Sequence, residues 1–240
     1  MSLSRAWANR SGCTAYRESL RDRCYGQWLD KGESPVALGE RGPFPKLFVR
    51  EEALDATDYA ALLSYIVSNE TAFQGSNVRA GYRPAVRNCL SFPLPEDHSW
   101  GARLRAWILE QVPSLLEQLA IKPFELRTTE LEISAYNDGA FFRRHIDTVT
   151  GVGGLDSHRI VSGVLYLHGQ PRRFEGGELR IFPYGAFDSA GDQHFDVSPS
   201  ANSCVFFPSW APHEVRPVRC SSGQFQDSRF AVNIWLKGRP

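Results

Sequence analysis

Apolar positions along the chain change period once, near residue 125. Before that point the pattern is helical: Tyr59, Leu62, Leu63, Ile66 and Val67 recur at spacings of three and four, behind Asp55 or Thr57 as a cap. A second helix is predicted to begin near Ser99, with Leu104, Trp107, Ile108, Gln111, Leu115, Leu116 and Leu119 on one side. Pro113 must kink that helix or restart it, because proline lacks the N–H its turn requires. Between the two lies QGSNVRAGYRPAVRNCLSFPLP, whose Gly, Pro and Arg content predicts a long ordered loop or a β-hairpin.

From about Glu125 the period becomes two, with Leu131, Ile133 and Ala135 alternating against Glu130, Glu132 and Ser134. Strands are predicted near 126–136, 140–147, 159–168, 177–183, 194–198, 203–208, 213–219 and 228–237, separated by GVGG, EGGE and PSWAP turns. About eight short strands at this spacing imply a mainly β protein, a jelly roll or barrel, with the earlier helices covering a sheet. No heptad run or internal repeat competes with that reading. The 240 residues suit a single domain: 1–120 as helical support, 121–240 as the β core.

Charge and cysteine content narrow the class. The 27 Lys and Arg balance 27 Asp and Glu, so there is no global footprint for nucleic acid or an anionic membrane. MSLSRAWANRSGC lacks the apolar stretch of a secretory signal and no later segment would span a bilayer, so an unexported, cytoplasmic protein is expected. Cys13, Cys24, Cys89, Cys204 and Cys220 are odd in number and form no C-x-x-C pair, so reduced thiols are expected, with Cys204 in the core.

The candidate chemistry begins at YNDGAFFRRHIDTVT. His145 and Asp147 stand two apart, and in a strand such residues share a face and can grip one ion. The best third ligand is His213 in FFPSWAPHEVRPV, after a Pro-rich turn. Two histidines and a carboxylate on one side of an ion form the facial triad of non-haem iron(II) oxygenases, which leaves positions open for reactants. A His-x-Asp pair taken alone is more often a surface pair or a satisfied core histidine than a metal site. His98, His158, His168 and His194 have no comparable partner, and His158 is a poor substitute ligand.

Read together, EISAYNDG, the HID motif, RIVSGVLYLHG, GGELRIFP, VFFPSWAPHEVRPV and SRFAVNIWL resemble, in order, the 2-oxoglutarate-dependent dioxygenases of the prolyl 4-hydroxylase type. The resemblance runs from about Glu130 to Leu236. It implies a double-stranded β-helix in which His145, Asp147 and His213 bind iron(II), while 2-oxoglutarate chelates the metal and O2 takes the remaining position. It further implies oxidative decarboxylation to succinate and CO2, hydroxylation of an aliphatic C–H, and ascorbate as a reductant. The carboxylate of Asp147 favours hydroxylation over halogenation, since the halogenating members lack it.

The same resemblance places Arg229 against the far carboxylate of the cosubstrate, with Tyr166 hydrogen-bonded to that group and Tyr136 nearby. A planar guanidinium suits such an anchor. Arg229 lies 16 residues after His213, a long gap that CSSGQFQDS accounts for, and Arg216 and Arg219 compete for the role. Arg159, Asn233 and Trp235 match positions bordering the substrate channel. Arg79, Arg83 and Arg87 in the 74–95 segment would form a lid that receives an anionic substrate, or else a solvated loop. The expected substrate is a prolyl residue, a free amino acid or a related small molecule, presented free or in a short peptide. Against this stand two other readings: a catalytically inactive jelly-roll module that keeps a metal or ligand, and a zinc hydrolase, for which no general base is evident.

Overall fold

The computed structural model describes residues 44–78, 81–95, 97–148, 158–185 and 193–239. Both predicted helices form: α1 spans Ala56–Ser68 and α2 spans Ser99–Leu119. Asp55, rather than Thr57, caps α1, its carboxylate accepting the Asp58 N–H at 2.8 Å. His98 caps α2 by accepting from the Trp100 N–H. The helix does not restart at Pro113: α2 runs through it to a left-handed Ala120. Leu104, Ile108, Leu115, Leu116 and Leu119 hold the helix by its buried face on both sides of the proline. Burying such side chains contributes about 1.5–3 kcal/mol each, enough to offset the ~3 kcal/mol helix penalty of one proline.

Twelve strands make two sheets. They are β1 (Phe48–Arg50), β2 (Gln74–Gly75), β3 (Arg87–Asn88), β4 (Leu90–Pro93), β5 (Glu125–Tyr136) and β6 (Phe141–His145). The rest are β7 (His158–Leu167), β8 (Leu179–Ile181), β9 (Phe195–Val197), β10 (Cys204–Pro208), β11 (His213–Val215) and β12 (Arg229–Arg239). The larger sheet is ordered β1-β10-β7-β12-β5-β4-β2, and the smaller β9-β8-β11-β6-β3. All pairings are antiparallel, as a jelly roll requires. Short ribbons, Asn77–Val78 with Gly81–Tyr82 and Glu175–Gly176 with Val218–Arg219, complete the described strands.

Period-two alternation decides what each sheet face touches. Leu131, Ile133 and Ala135 of β5 pack with Val232, Ile234 and Leu236 of β12 under Leu62, Ile66, Leu104 and Ile108 of the helices. The other face of the large sheet turns inward, and Val164, Tyr166, Val205, Phe207 and Ala231 meet Leu179 and Ile181 of the small sheet. Glu130, Glu132 and Ser134 therefore stand on the inner side, not on the solvated outside that polar residues of an alternating strand ordinarily occupy.

Two expectations need correction. The first half, expected to be mainly helical with a loop or β-hairpin over 74–95, pairs β2 with β4 in that segment and also places β1 in the large sheet and β3 in the small one. The predicted strand 140–147 ends at His145, and 213–219 is two pieces interrupted at Arg216 and Pro217. Cys89, Cys204 and Cys220 are free and buried, Cys204 in the helix-covered core; Cys13 and Cys24 lie outside the described residues. No helix among the described residues is long and apolar enough to cross a membrane.

Candidate active site

His145 and His213 face each other directly as the register partners of β6 and β11. Their rings lie 4.2 Å apart between centroids. Asp147 is beyond the end of β6, so strand alternation is not what brings it beside His145. Its backbone N–H, and that of Thr148, donate to the Ser209 carbonyl at 2.8 and 3.0 Å, which folds the chain back over the site. One Asp147 oxygen then stands 3.7 Å from His145 Nε2 and the other 3.7 Å from His213 Nε2. Ligand atoms of all three residues lie within 4.8 Å of one another, close enough to hold one metal ion.

The imidazoles are turned for this task. His145 Nδ1 pairs with the Arg143 carbonyl at 2.8 Å and His213 Nδ1 with that of Ala211 at 2.9 Å. A carbonyl can only accept, so both Nδ1 atoms carry the hydrogen and both Nε2 lone pairs face inward. Burial, then the neighbouring His213, pushes the His145 pKa down to about 3, so its ring is neutral. Burial alone would raise Asp147, but His213, His145, the Ser162 hydroxyl and Arg159 outweigh it and hold the carboxyl at about 2. Two imidazole Nε2 atoms and one carboxylate oxygen are the donor set that suits iron(II). His98, His158, His168 and His194 do not join this group.

A second set of unusual groups lies at the start of β12. Arg229 is only 1% exposed, and its guanidinium sits 4.9 Å from the ring centres of both Tyr136 and Tyr166. Its Nε donates to the Gly177 carbonyl at 2.7 Å, yet Nη1, Nη2 and the Tyr166 hydroxyl are buried with no hydrogen-bond partner. Burial pushes the Tyr166 hydroxyl up to about 12, so it keeps its proton and can donate. Leaving such donors unsatisfied costs about 1–3 kcal/mol each, more for a charged group, and a carboxylate would satisfy all of them. The residues present thus fit the far end of 2-oxoglutarate. Neither competitor is equivalent: Arg216 pairs with Glu214 at 3.1 Å and Arg219 is exposed.

The arginines of the 74–95 segment separate. Arg79 lies outside the described residues. Arg83 is exposed, whereas Arg87 is 6% exposed and bonded to Glu132 at 2.6 Å and to the Ser134 hydroxyl at 3.0 Å. Asn233 Nδ2 joins them, donating to Ser134 at 2.7 Å and to Glu132 at 3.4 Å. Arg87 therefore fastens β3 to β5 from within, and its charge is already met by Glu132. The expectation that all three arginines move as a lid and receive an anion fails at Arg87 for that reason. Replacing Glu132 by Ala would strand the buried guanidinium and is expected to lower stability by about 3 kcal/mol. Urea unfolding of the full chain measures this, and a loss under 1 kcal/mol would contradict the clamp.

Arg87, Tyr136, Phe142, Asn233 and Trp235 line one cavity together with the triad. At its edge the Arg159 guanidinium lies 3.8 Å over the Trp235 ring and donates to Glu130 at 2.9 Å. Sequence reasoning passed over Glu132, Ser134, Ser162, Ser209 and Gly177. The one available signal was the polar side of β5 and β7, where Glu132, Ser134 and Ser162 alternate with apolar residues in strands too long to be edge strands.

The sequence model of the 2OG-Fe(II) oxygenase superfamily matches residues 131–237. An uncharacterized PKHD-type hydroxylase of Synechocystis sp. is 36% identical over 139 residues, which cover 57% of this chain and 45% of that relative. The chain thus matches less than half the length of that curated relative. A prolyl-4-hydroxylase of Pseudomonas putida superposes with TM-score 0.60 at 24% identity, over 82% of this chain and 94% of the other. A prolyl hydroxylase of Trichoplax adhaerens, in complex with a peptide fragment of a hypoxia inducible factor oxygen degradation domain, superposes with TM-score 0.57 at 16% identity, over 95% and 94%. These superpositions establish the jelly-roll fold, and the sequence match sits on the strands that carry the triad and Arg229. Residues 131–237 are thus similar to the 2OG-Fe(II) oxygenase superfamily, and the chain shares the fold of the solved prolyl hydroxylases.

Proposed function

We propose that this protein is an iron(II)- and 2-oxoglutarate-dependent dioxygenase that hydroxylates an aliphatic C–H of a prolyl residue, a free amino acid or a related small molecule, releasing succinate and CO2. The observation that carries the reading is the pairing of two sites: a His–Asp–His cluster within 4.8 Å and, deeper in the same roll, a buried Arg229–Tyr166 pair with unspent donors. Iron(II) with 2-oxoglutarate and O2 supplies the oxidising chemistry. His145, Asp147 and His213 would hold the metal. Arg229 and Tyr166 would hold the far carboxylate of the cosubstrate, and Tyr136 would flank it.

Asn233, Trp235, Arg159 and Arg87 would orient the primary substrate, with Arg83 on the same segment as Arg87. Because Arg87 is paired with Glu132, a neutral or zwitterionic group suits this side of the cavity better than an anion. A module that merely retained a metal would have no use for the buried Arg229 donors. We take the chain as one oxygenase unit in the cytoplasm, with ascorbate as its reductant.

Anaerobic addition of iron(II) and 2-oxoglutarate to the full chain should produce a weak charge-transfer absorption in the visible, and O2 should then yield succinate. No band at saturating iron would refute the proposal. Gly177 offers a finer test, because its φ is +72° and an added Cβ would stand 2.6 Å from Arg229 Cδ. Gly177→Ala is expected to raise the 2-oxoglutarate requirement roughly 10-fold, from left-handed strain of about 1–2 kcal/mol and displacement of the anchor. Succinate release titrated against cosubstrate reads the change.

A further inference from the structure

We propose that Ser162, supported by Ser209, is a positioning residue that fixes the orientation of Asp147 and keeps its carboxylate to a single coordination position. This rests on the metal reading above. Ser162 Oγ lies 2.6 Å from Asp147 Oδ2, the short distance of a hydrogen bond to an ionised carboxylate. Ser209 Oγ lies 2.9 Å from Ser162 Oγ, and both serines are buried.

The direction of this chain follows from its end. Ser162 Oγ donates to Asp147 Oδ2, so its single proton is spent there. Ser162 oxygen is then left as an acceptor, and Ser209 must donate to it. Two hydroxyls aligned this way polarise each other and strengthen the terminal bond.

The backbone repeats the connection. The Ser209 carbonyl accepts from the Asp147 and Thr148 N–H groups, and the Ser209 N–H donates to the Ile160 carbonyl at 3.0 Å. Ser209, four residues before His213, thus holds Asp147 directly by main chain and supports through its side chain the Ser162 hydroxyl that reaches the same carboxylate from β7. Oδ1 is left facing His145 Nε2 at 3.7 Å, with Arg159 Nη1 3.9 Å away.

Without the Ser162 hydroxyl, Asp147 can turn about its last torsion and offer both oxygens to the ion. That second oxygen would take a position the cosubstrate needs. Loss of Ser162 should therefore weaken both metal binding and, separately, cosubstrate binding at saturating metal. A serine that served only packing would not move the second quantity.

The test titrates Mn(II) into wild type, Ser162→Ala, Ser162→Thr and Ser209→Ala, and then 2-oxoglutarate into each at saturating iron(II) without O2, reading the visible band. For Ser162→Ala the expected results are Mn(II) affinity lower by about 10- to 100-fold, as for other outer partners of metal ligands, and a cosubstrate requirement roughly 10-fold higher. Ser162→Thr, which keeps the hydroxyl, should restore both, and Ser209→Ala should fall between. Wild-type cosubstrate affinity in Ser162→Ala, or a defect that Ser162→Thr leaves in place, overturns the assignment. Failure of the wild type to bind Mn(II) overturns the metal reading itself and this inference with it.

Discussion

His145→Ala and Asp147→Ala are each expected to abolish succinate production, with a loss of at least about 1,000-fold. Outer hydrogen-bond partners of a metal ligand are worth about 10- to 100-fold in affinity or activity. Removing the ligand itself must exceed that range. Asp147 carries the only negative charge among the three candidate ligands, so its loss also removes the attraction that distinguishes a doubly charged ion from water. His145 lies in direct register with His213, and its Nδ1 is already committed to the Arg143 carbonyl. Among the described residues the metal-capable cluster consists of His145, Asp147 and His213 alone, so none of the others offers a replacement ligand set. Succinate release measures the loss, and the anaerobic visible band shows whether it arises at metal binding. Turnover within 10-fold of wild type in either variant would mean that the metal, if one is used, sits elsewhere.

The triad was legible in sequence because two local segments carry it and a β pattern surrounds both. Strand alternation nonetheless does not account for the whole cluster. Asp147 is beyond β6, and contacts with Ser209, 62 positions away in the chain, put it in place. Arg229 was legible from the apolar strand that follows it, but its isolation from Arg216 and Arg219 depends on burial, which sequence does not display. The Arg87–Glu132–Ser134–Asn233 group was illegible for a related reason. It joins four residues from three strands, and β3 is only two residues long, too short for any period to reveal. Of the short strands of the first half, the antiparallel pair β2 and β4 falls in the segment expected as a loop or β-hairpin, while β1 was missed, since pairing with a neighbour, not local pattern, makes it a strand. Where helix and strand are long the pattern sufficed, and even Pro113 was tolerated once five leucine and isoleucine contacts held α2 down.

Arg229→Met separates stability from function with opposite signs. The guanidinium is buried between two tyrosine rings with two nitrogens unpartnered, so without cosubstrate it is a charge removed from water and only partly compensated. Methionine keeps much of the volume and removes that charge, at the cost of the single bond to the Gly177 carbonyl. Replacing buried charge by a well-packed apolar side chain is often neutral or stabilising by about 1–4 kcal/mol, against about 1 kcal/mol for an ordinary hydrogen bond. The variant without ligand should therefore unfold at the same denaturant concentration as wild type or a higher one. Its 2-oxoglutarate affinity should fall at least about 100-fold, because losing one partner of a buried charge pair costs about 3–5 kcal/mol and each 1.4 kcal/mol is a factor of ten. Chemical unfolding with and without cosubstrate reads both effects in one experiment: wild type should gain stability from 2-oxoglutarate and Arg229→Met should not. Equal stabilisation of the two proteins would exclude Arg229 as the anchor and move the search to Arg216 and Arg219.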